Sequence, residues 1–427
     1  MTKPGDRVKV TTPDQEIEGI LMPEEKEFII LKMDTGYNMG IDKKRVREIL
    51  PIHHAHPSKE IKLMPPEPKT GLPKITILHT GGTIASKVDY STGGVVARFS
   101  PEEILSMFPE LRNIANINSR LISNMFSEDM RFGHYNVLAH EIKKEIENGA
   151  DGIIVTHGTD TLHYTSAALS FMLLNPGVPV ILVGAQRSSD RGSSDAALNL
   201  LSAAHFISAH REFAEIAVCM HETEEDTTCL ILPGTKCRKM HSSRRDAFKP
   251  INTDAWARVD FKARKVDFLR TGYNKKDENK PEVREFKENI EVGIIKSHPN
   301  MHADEILAYK GYDGLIIEGT GLGHIAINEV DHYTKENTKI YTALKELIES
   351  GTIIAMTSQT IYGEVDMNVY STGRKLLDLG ILGNYLDMTP ETAYIKLAWL
   401  LSNYPKHQVK ELYSQNISRE ISNKLEK

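Results

Sequence analysis

The sequence is poor in cysteine, with only Cys219, Cys229 and Cys237 among 427 residues. Three thiols cannot all pair and no Cys-x-x-Cys motif occurs, so a disulfide framework is disfavoured and a reducing compartment is favoured. No run approaches the ~18 consecutive apolar residues of a membrane span. The first residues, MTKPGDRVKV, lack the apolar core of a secretory signal. These absences predict a cytosolic protein that makes no use of the membrane.

A positive net charge is also lacking. Lys and Arg number 52 against 58 Asp and Glu, which gives a formal net charge of −6. A protein that neutralises many phosphates by itself usually carries a basic binding domain, so stand-alone nucleic-acid binding is disfavoured. No Walker-type phosphate loop occurs. The composition is that of a globular protein, and the length predicts roughly two to four domains.

A small β-rich unit is predicted for residues 1–52. The runs DRVKVTT, EIEGILMP, EFIILKM and VREILPI are separated by PDQ, PEEK and DTGYNMG, which are typical of turns. Strands this close together, with no helix between them, indicate a small antiparallel barrel. Residues 53–73 contain five prolines and are typical of an extended linker. His53, His54 and His56 lack a carboxylate or Cys at ligand spacing, which favours a solvated linker over a metal site.

From Lys74 onward, apolar strands alternate with amphipathic helices. KITILHT, DGIIVTHG, PVILVGA and EIAVCM have the strand pattern, whereas HYNVLAHEIKKEIENG and TLHYTSAALSFMLL have the helix pattern. We therefore expect a parallel sheet covered on both faces over residues 74–272. The charged stretch 273–290 is interpreted as a second linker. VGIIKSHP, DGLIIEGTG and TIIAMTSQ, a helix at YTALKELIES ended by Gly351 and a helical tail predict a smaller α/β domain at 291–427.

Polar clusters follow the predicted strands, where open parallel sheets bind their ligands. They are TGGT at Thr80–Thr83, HGTDT at His157–Thr161, GAQR at Gly184–Arg187 and GTGLGH at Gly319–His324. GTGLGH lacks the GxGxxG spacing, so a connection near a domain interface is favoured there over nucleotide binding.

Two of these clusters offer nucleophilic chemistry. The glycines before Thr83 allow a close backbone approach with N–H groups for an oxyanion, although a turn capped by threonine fits equally well. Asp160 either caps the following helix or binds an ammonium group or a reacting water. Thr159 needs a neighbouring base or cation for activation. Lys239 supplies one if burial lowers its pKa, and an exposed lysine is the alternative.

ITILHTGGTIA, VTHGTDTLHYTSAAL and VGAQRSSDRGSSDAALNL, in this order, resemble the bacterial-type L-asparaginase/glutaminase family over roughly residues 74–401. The resemblance implies an asparaginase-like two-domain parallel-sheet α/β fold, here preceded by the small β-barrel. It further implies a threonine amidohydrolase whose site is completed by subunit association. By position, Thr83 corresponds to the nucleophile, and Thr159, Asp160 and Lys239 to the residues that support it.

The resemblance also implies substrate-binding and gating residues. Substrate contacts fall at Gly82, Ser127, Glu128 and Gly158, and the gating tyrosine of a mobile loop at Tyr90. Ser127 and Glu128 correspond to the pair that binds the substrate's α-amino and α-carboxylate groups. Many members have Gln at the second position, so Glu128 adds a negative charge beside Asp160 and argues against simple asparagine hydrolysis. Which threonine attacks first stays open.

The N-terminal unit narrows the resemblance. GDRVKV and GYNMGI ahead of HTGGTIAS are similar to the asparaginase-like subunits of archaeal glutamyl-tRNA(Gln) amidotransferases. This implies ammonia release from glutamine or asparagine, and a homodimer joined to a separate tRNA-binding protein (GatE) in an α2β2 heterotetramer. It implies no cofactor on this chain. ATP and Mg²⁺ are expected on the partner, which converts Glu-tRNA(Gln) to Gln-tRNA(Gln).

Two alternatives differ from this hypothesis. A free-standing cytosolic L-asparaginase with an accessory β domain would keep the chemistry and lose the partner. A non-catalytic tRNA-docking subunit would depend on Arg238, Lys239, Arg244 and Arg245, and predicts salt-sensitive tRNA binding without amidase activity.

Overall fold

The computed structural model describes residues 2–23, 26–34, 38–54, 68–82, 84, 86–88, 95–97, 101–187, 193–276 and 281–422. Its strands are β1 Arg7–Thr11, β2 Glu16–Leu21, β3 Phe28–Lys32, β4 Asn38–Asp42, β5 Glu48–His53, β6 Lys74–His79, β7 Ser86–Val88, β8 Val95–Ala97, β9 Asn116–Leu121, β10 Gly152–Thr156, β11 Val180–Val183, β12 Ile216–His221, β13 Cys229–Pro233, β14 Cys237–Lys239, β15 Phe248–Pro250, β16 Ala257–Asp260, β17 Lys265–Phe268, β18 Val292–Lys296, β19 Gly314–Gly319 and β20 Ile353–Ser358. Its α-helices are α1 Pro101–Met107, α2 Phe132–Glu147, α3 Leu162–Met172, α4 Ala196–Ala209, α5 Ala303–Leu307, α6 Lys335–Glu349, α7 Ser371–Asp378, α8 Pro390–Asn403 and α9 Lys406–Leu412. Within these ranges no helix is both long enough and apolar enough to cross a bilayer.

The N-terminal unit is an antiparallel sheet of five strands in the order β4-β3-β2-β1-β5. Successive side chains of β1 point to opposite faces, so Val8 and Val10 share a small buried core with Leu31. β4 begins at Asn38, within the segment DTGYNMG that was interpreted as a turn. That interpretation is wrong for its last three residues, because backbone pairing with β3 overrides their weak strand propensity.

The main sheet has eight strands in the order β17-β16-β13-β12-β11-β10-β6-β9. The strands from β9 to β12 in this order are parallel. Ile153 and Val155 of β10 belong to the core that contains residues of α2, α3 and α8, whereas Ile154 belongs to the core with α1 and α4. Both faces are therefore covered, and the predicted α/β architecture is confirmed for this part of the sheet.

The other edge of the main sheet is antiparallel. β13 pairs antiparallel with β12, and β16 and β17 continue in the same way. The prediction of a parallel sheet up to Gly272 is wrong here. The connection from β12 to β13 spans only residues 222–228, and a parallel crossover needs about a dozen residues or more.

The C-terminal unit is a parallel sheet of three strands in the order β18-β19-β20. Helix α6 covers one face, and its apolar side chains Ile340, Leu344 and Leu347 are fully buried. Gly351 follows the helix with φ +98°, and its N–H donates to the carbonyl of Ile348 at 3.0 Å. The predicted helix end at this glycine is confirmed.

Residues 281–290, interpreted as part of a charged linker, pack against two helices. The Phe286 ring stacks on Phe132 of α2 with 4.8 Å between ring centroids. Asn136 of α2 exchanges two hydrogen bonds of 2.9 Å with the Phe286 backbone. The Trp399 indole of α8 donates to the Arg284 carbonyl at 3.1 Å. The segment is therefore a packed connection between the domains, because its Phe286 side chain is buried although most of the neighbouring residues are charged.

Candidate active site

The loop after β6 closely approaches two other segments. Gly81 and Gly82 have φ values of +127° and +81°, which residues with a Cβ rarely adopt. A Cβ at Gly82 would lie 2.8 Å from the backbone nitrogen of Gly158, and one at Gly81 would overlap the carbonyl oxygen of Met125. Glycine is therefore required for the TGGT loop to contact the loop after β10.

Ser127 adjoins the same two loops. It is buried at the start of a short 3₁₀ helix, Ser127–Asp129, and its carbonyl accepts a hydrogen bond of 2.5 Å from the Thr161 hydroxyl. A Cβ at Gly158 would lie 2.8 Å from the Ser127 Cβ. Three predicted substrate contacts, Gly82, Ser127 and Gly158, therefore form one continuous surface. Glu128 is exposed on the 3₁₀ helix beside them.

Lys239 joins the residues that follow β10. Its Nζ donates to Thr159 Oγ1 at 2.9 Å and to Asp160 Oδ1 at 2.7 Å. The Lys239 side chain is 10% exposed, whereas that of Asp160 is 67% exposed. The N-cap of helix α3 is Thr161, with no side-chain capping bond, so Asp160 pairs with the lysine and does not cap the helix. An amine in contact with a hydroxyl and a carboxylate can orient the hydroxyl and move a proton.

The end of β11 forms a third wall of the site. A Cβ at Gly184 would lie 2.7 Å from the Thr159 Cγ2. The glycine therefore leaves room for the Thr159 methyl group while its hydroxyl bonds the lysine. The following residues are held by Asp195, which is fully buried and accepts hydrogen bonds of 3.0 Å from the backbone N–H groups of Gln186 and Arg187.

Two buried histidines support the loops. His157 belongs to the HGTDT cluster but was given no role from the sequence, and His79 was not singled out. His157 lies with Nδ1 2.7 Å from the Gly158 carbonyl, to which it donates, and Nε2 2.9 Å from Thr165 Oγ1. Burial lowers the pKa of His157 to about 4. His79 bonds the Thr156 hydroxyl at 2.7 Å, and burial lowers its pKa to about 3. Both rings are neutral at pH 7, and their only sequence signal is their position at or just after a strand end.

Two predicted residues, Thr83 and Tyr90, lie outside the described residues. The structure thus brings together Thr159, Asp160 and Lys239, and it places Gly82, directly before Thr83, against the loop that carries them.

The four basic residues considered for tRNA docking each face a carboxylate. The pairs are Arg238–Glu391 at 2.9 Å, Lys239–Asp160 at 2.7 Å, Arg244–Asp246 at 2.8 Å and Arg245–Asp226 at 2.6 Å. A nucleic-acid phosphate would have to replace a carboxylate at each position, which reduces the electrostatic gain. This pairing disfavours the tRNA-docking alternative.

Metal ligands do not converge in the part of the chain that the structure describes. No group of three or more His, Cys, Asp or Glu side chains there has the arrangement of a metal site. His54 instead lies 3.0 Å from Asp6. Cys219, Cys229 and Cys237 are buried free thiols.

Three family models match the chain. Residues 74–272 match "Asparaginase, N-terminal", residues 291–412 match "Glutaminase/Asparaginase C-terminal domain", and residues 2–51 match "GatD N-terminal domain".

Curated relatives cover nearly the whole chain. The glutamyl-tRNA(Gln) amidotransferase D subunit of Pyrococcus furiosus is 44% identical over 430 residues, 98% of this chain and 94% of the relative. The corresponding D subunit of Methanococcus maripaludis is 42% identical over 439 residues, 99% and 98% of the two chains.

Solved asparaginase structures superpose on most of the chain. The thermostable L-asparaginase of Thermococcus kodakarensis has a TM-score of 0.70 at 30% identity and covers 82% of this chain and 100% of its own. The L-asparaginase I of Vibrio cholerae has a TM-score of 0.69 at 26% identity, with 82% and 99% covered.

Proposed function

Since the chain belongs to the family of glutamyl-tRNA(Gln) amidotransferase D subunits, we propose that it is the asparaginase-like amidohydrolase subunit of such an enzyme. It releases ammonia from the side-chain amide of glutamine or asparagine. The observation that carries this proposal is the contact of Lys239 Nζ with both Thr159 and Asp160, beside the glycine loop that leads to Thr83. A lysine that only stabilises the fold needs no more than a carboxylate partner, whereas a lysine that also bonds a threonine hydroxyl can activate that hydroxyl for acyl transfer.

In the proposed reaction, the Thr83 hydroxyl attacks the amide carbonyl of the substrate. A C–O bond forms, the C–N bond breaks, and the nitrogen leaves as ammonia after it takes up the hydroxyl proton. Backbone N–H groups near Gly82 and Thr159 stabilise the oxyanion of the tetrahedral intermediate, and loss of one such donor costs ~3–4 kcal/mol in enzymes where this has been measured. The close approach of Gly82 to Gly158 supports this role, because it places backbone from both loops on one surface.

Hydrolysis of the acyl-enzyme uses the second threonine. Lys239 and Asp160 orient the Thr159 hydroxyl, which positions a water against the ester carbonyl. The water oxygen bonds the carbonyl carbon, its proton passes back to Thr83, and glutamate or aspartate leaves. Ser127, with Glu128 at the rim, binds the α-amino and α-carboxylate groups of the substrate. Tyr90 closes the site.

We further propose the assembly of this family for the present chain: a homodimer with the tRNA-binding protein GatE, α2β2 in all, in the cytoplasm. ATP and Mg²⁺ act on the partner, which activates the glutamate of Glu-tRNA(Gln). The paired basic residues of this chain support a division in which most tRNA contacts belong to the partner. The proposed domains are residues 1–52, the linker 53–73, the catalytic domain 74–272, the connection 273–290 and the C-terminal domain 291–427.

A tRNA-dependent glutaminase assay tests the proposal. Ammonia release from glutamine is measured for the chain alone, with a co-purified partner, and with the partner plus Glu-tRNA(Gln) and ATP. We expect the complete mixture to be the most active and the Thr83→Ala variant to be inactive. Full glutamine hydrolysis by Thr83→Ala would refute the nucleophile assignment.

The alternative of a free-standing L-asparaginase is supported only by the likeness to solved structures, two of which are the L-asparaginases described above. The same assay separates the two functions. Strong asparagine hydrolysis by the isolated chain, unchanged by partner or tRNA, would establish the alternative.

A further inference from the structure

The strand that carries Lys239 is not part of the main sheet. β14 has three residues, and among the strands that the structure describes it pairs with β15 alone, in a separate sheet of two strands. Backbone pairing of so short a ribbon orders it weakly in water. Other contacts must therefore hold Lys239 within hydrogen-bond distance of Thr159.

Part of this support is local, since Cys237 is buried in the core and Ser166 Oγ donates to the Gly234 carbonyl at 2.7 Å. The remaining contacts come from the C-terminal half of the chain. Three hydrogen bonds and one ion pair join the segment from Thr235 to Arg238 with residues from Asp387 to Ser418. They are Thr392 Oγ1 to the Thr235 carbonyl at 2.7 Å, Thr235 Oγ1 to the Ser418 carbonyl at 3.0 Å, Lys236 Nζ to Asp387 at 2.6 Å, and Arg238 to Glu391 at 2.9 Å. Each residue of the segment except Cys237 thus makes a side-chain or carbonyl bond across the domain boundary.

Glu391 makes the contact nearest to the proposed relay. It lies in the first turn of α8 with 7% of its side chain exposed, and its Oε1 is also 3.9 Å from His163 Nε2. Side chains at neighbouring strand positions point in opposite directions. Lys239 therefore faces Thr159 while Arg238 faces Glu391. The Arg238–Glu391 contact on one side of β14 thus restricts the position of Lys239 on the other side.

We propose that Glu391 is a positioning residue for the amidase reaction. By binding Arg238, it fixes the strand that presents Lys239 to Thr159 and Asp160, and so makes the relay depend on the C-terminal domain. This inference rests on the proposed function for its catalytic consequence. The substrate contacts at Ser127 and Gly158 lie on other segments than β14, so we expect the Arg238–Glu391 pair to act mainly on Lys239.

The test uses the full chain in its complex and the variants Glu391→Met, Arg238→Met and the double substitution. We expect each single substitution to lower kcat for glutamine at least tenfold, because displacement of a reacting group by about 1 Å can cost about a hundredfold. KM should change less than about threefold. The double variant should be no slower than the slower single variant, since both substitutions remove one interaction. Glu346→Gln, which breaks the exposed Lys310–Glu346 pair, is the control and should match the wild type.

Hydrogen exchange at residues 237–240 measures the same positioning without turnover. Faster exchange there in Glu391→Met than in the control, with exchange in the rest of the chain unchanged, would support the positioning role. This holds even if the wild type hydrolyses no amide, because that result would refute only the proposed function. Unchanged exchange, a kcat within threefold of the wild type, or a double variant whose loss is the product of the single losses would overturn it. If Glu391→Met does not fold, Glu391→Gln, which retains the side-chain shape, takes its place in both measurements.

Discussion

Replacement of Lys239 by methionine should separate catalysis from stability. The substitution keeps an unbranched side chain of similar length and removes the two hydrogen bonds of Nζ, to Thr159 at 2.9 Å and to Asp160 at 2.7 Å. Both partners retain access to water, because Thr159 is half-buried and the Asp160 side chain is 67% exposed. The folded state therefore loses little when the ammonium group is removed.

The expected magnitudes follow from these environments. An ion pair with one exposed partner contributes ~0–1 kcal/mol to stability, and a hydroxyl hydrogen bond about 1 kcal/mol. A positioned proton-transfer group contributes about 10²- to 10⁴-fold to a rate, which corresponds to ~3–5 kcal/mol at the transition state. We therefore expect the Lys239→Met variant to lose at least a hundredfold in kcat while its free energy of unfolding falls by about 2 kcal/mol or less.

Ammonia release at saturating glutamine and urea unfolding of the same preparations measure the two effects. Lys249→Met is the matched control, since Lys249 lies on the paired strand β15, opposite Arg238, and bonds Asp246 and the Glu222 carbonyl, each at 3.0 Å. It should lose comparable stability and keep its activity. A Lys239→Met variant with a kcat within threefold of the wild type would refute the role of the lysine.

Three further outcomes are expected. In Gly184→Ala, the new Cβ pushes the Thr159 methyl group from 2.7 Å toward the ordinary contact distance of 3.4 Å, so kcat should fall about tenfold or more; full activity would contradict this. Burial lowers the pKa of His79 to about 3 in the folded state, whereas the unfolded chain has the ordinary value of about 6.5. Between these two pH values only the unfolded chain binds a proton at His79, so the free energy of unfolding falls by ~1.4 kcal/mol for each pH unit as the pH decreases. His157, with a folded-state pKa of about 4, adds to the same decline, so urea titrations should show a slope that is smaller in His79→Gln than in the wild type by about this amount; an unchanged slope would exclude the contribution of His79. Lys396 and Glu420 pair at 2.5 Å with both side chains 0% exposed, so Glu420→Gln leaves a buried ammonium group without its counter-charge and should lower the free energy of unfolding by ~3–5 kcal/mol. The double variant with Lys396→Met should recover part of this loss, and an unchanged stability of Glu420→Gln would contradict the argument.

The parallel core of the fold could be predicted from the sequence, because continuous apolar runs and 3.6-residue periodicity are local properties. Strand direction is not local. β13 has the same apolar character as β10, and only the short connection before it makes it antiparallel. Residues 281–290 were interpreted as part of a linker because half of them are charged. The burial of one aromatic ring, Phe286, is enough to pack this segment against the domain, and most of its charged side chains remain in water.

The candidate site was predictable only in part. Strand ends locate Thr159 and Asp160, but Lys239 lies 80 positions beyond Thr159. The residues alone left an exposed lysine as an equal alternative, and the family resemblance decided for the contact with Thr159. The supporting residues carried no such signal. The sequence does not show whether a histidine such as His157 is solvated or buried. Nor does it show which carboxylate of the chain pairs with Arg238, because that depends on the fold.

The long separation between β14 and its supports has a consequence for synthesis on the ribosome. Lys236 precedes its buried partner Asp387 by 151 positions, and Glu391 and Ser418 come later still. Translation proceeds from the N-terminus, so Thr159 and Lys239 are synthesised well before Asp387 and Glu391, which support β14 in the folded chain. We therefore expect a chain interrupted ahead of α8 to carry the reactive side chains without their alignment and to release ammonia more slowly than the full chain.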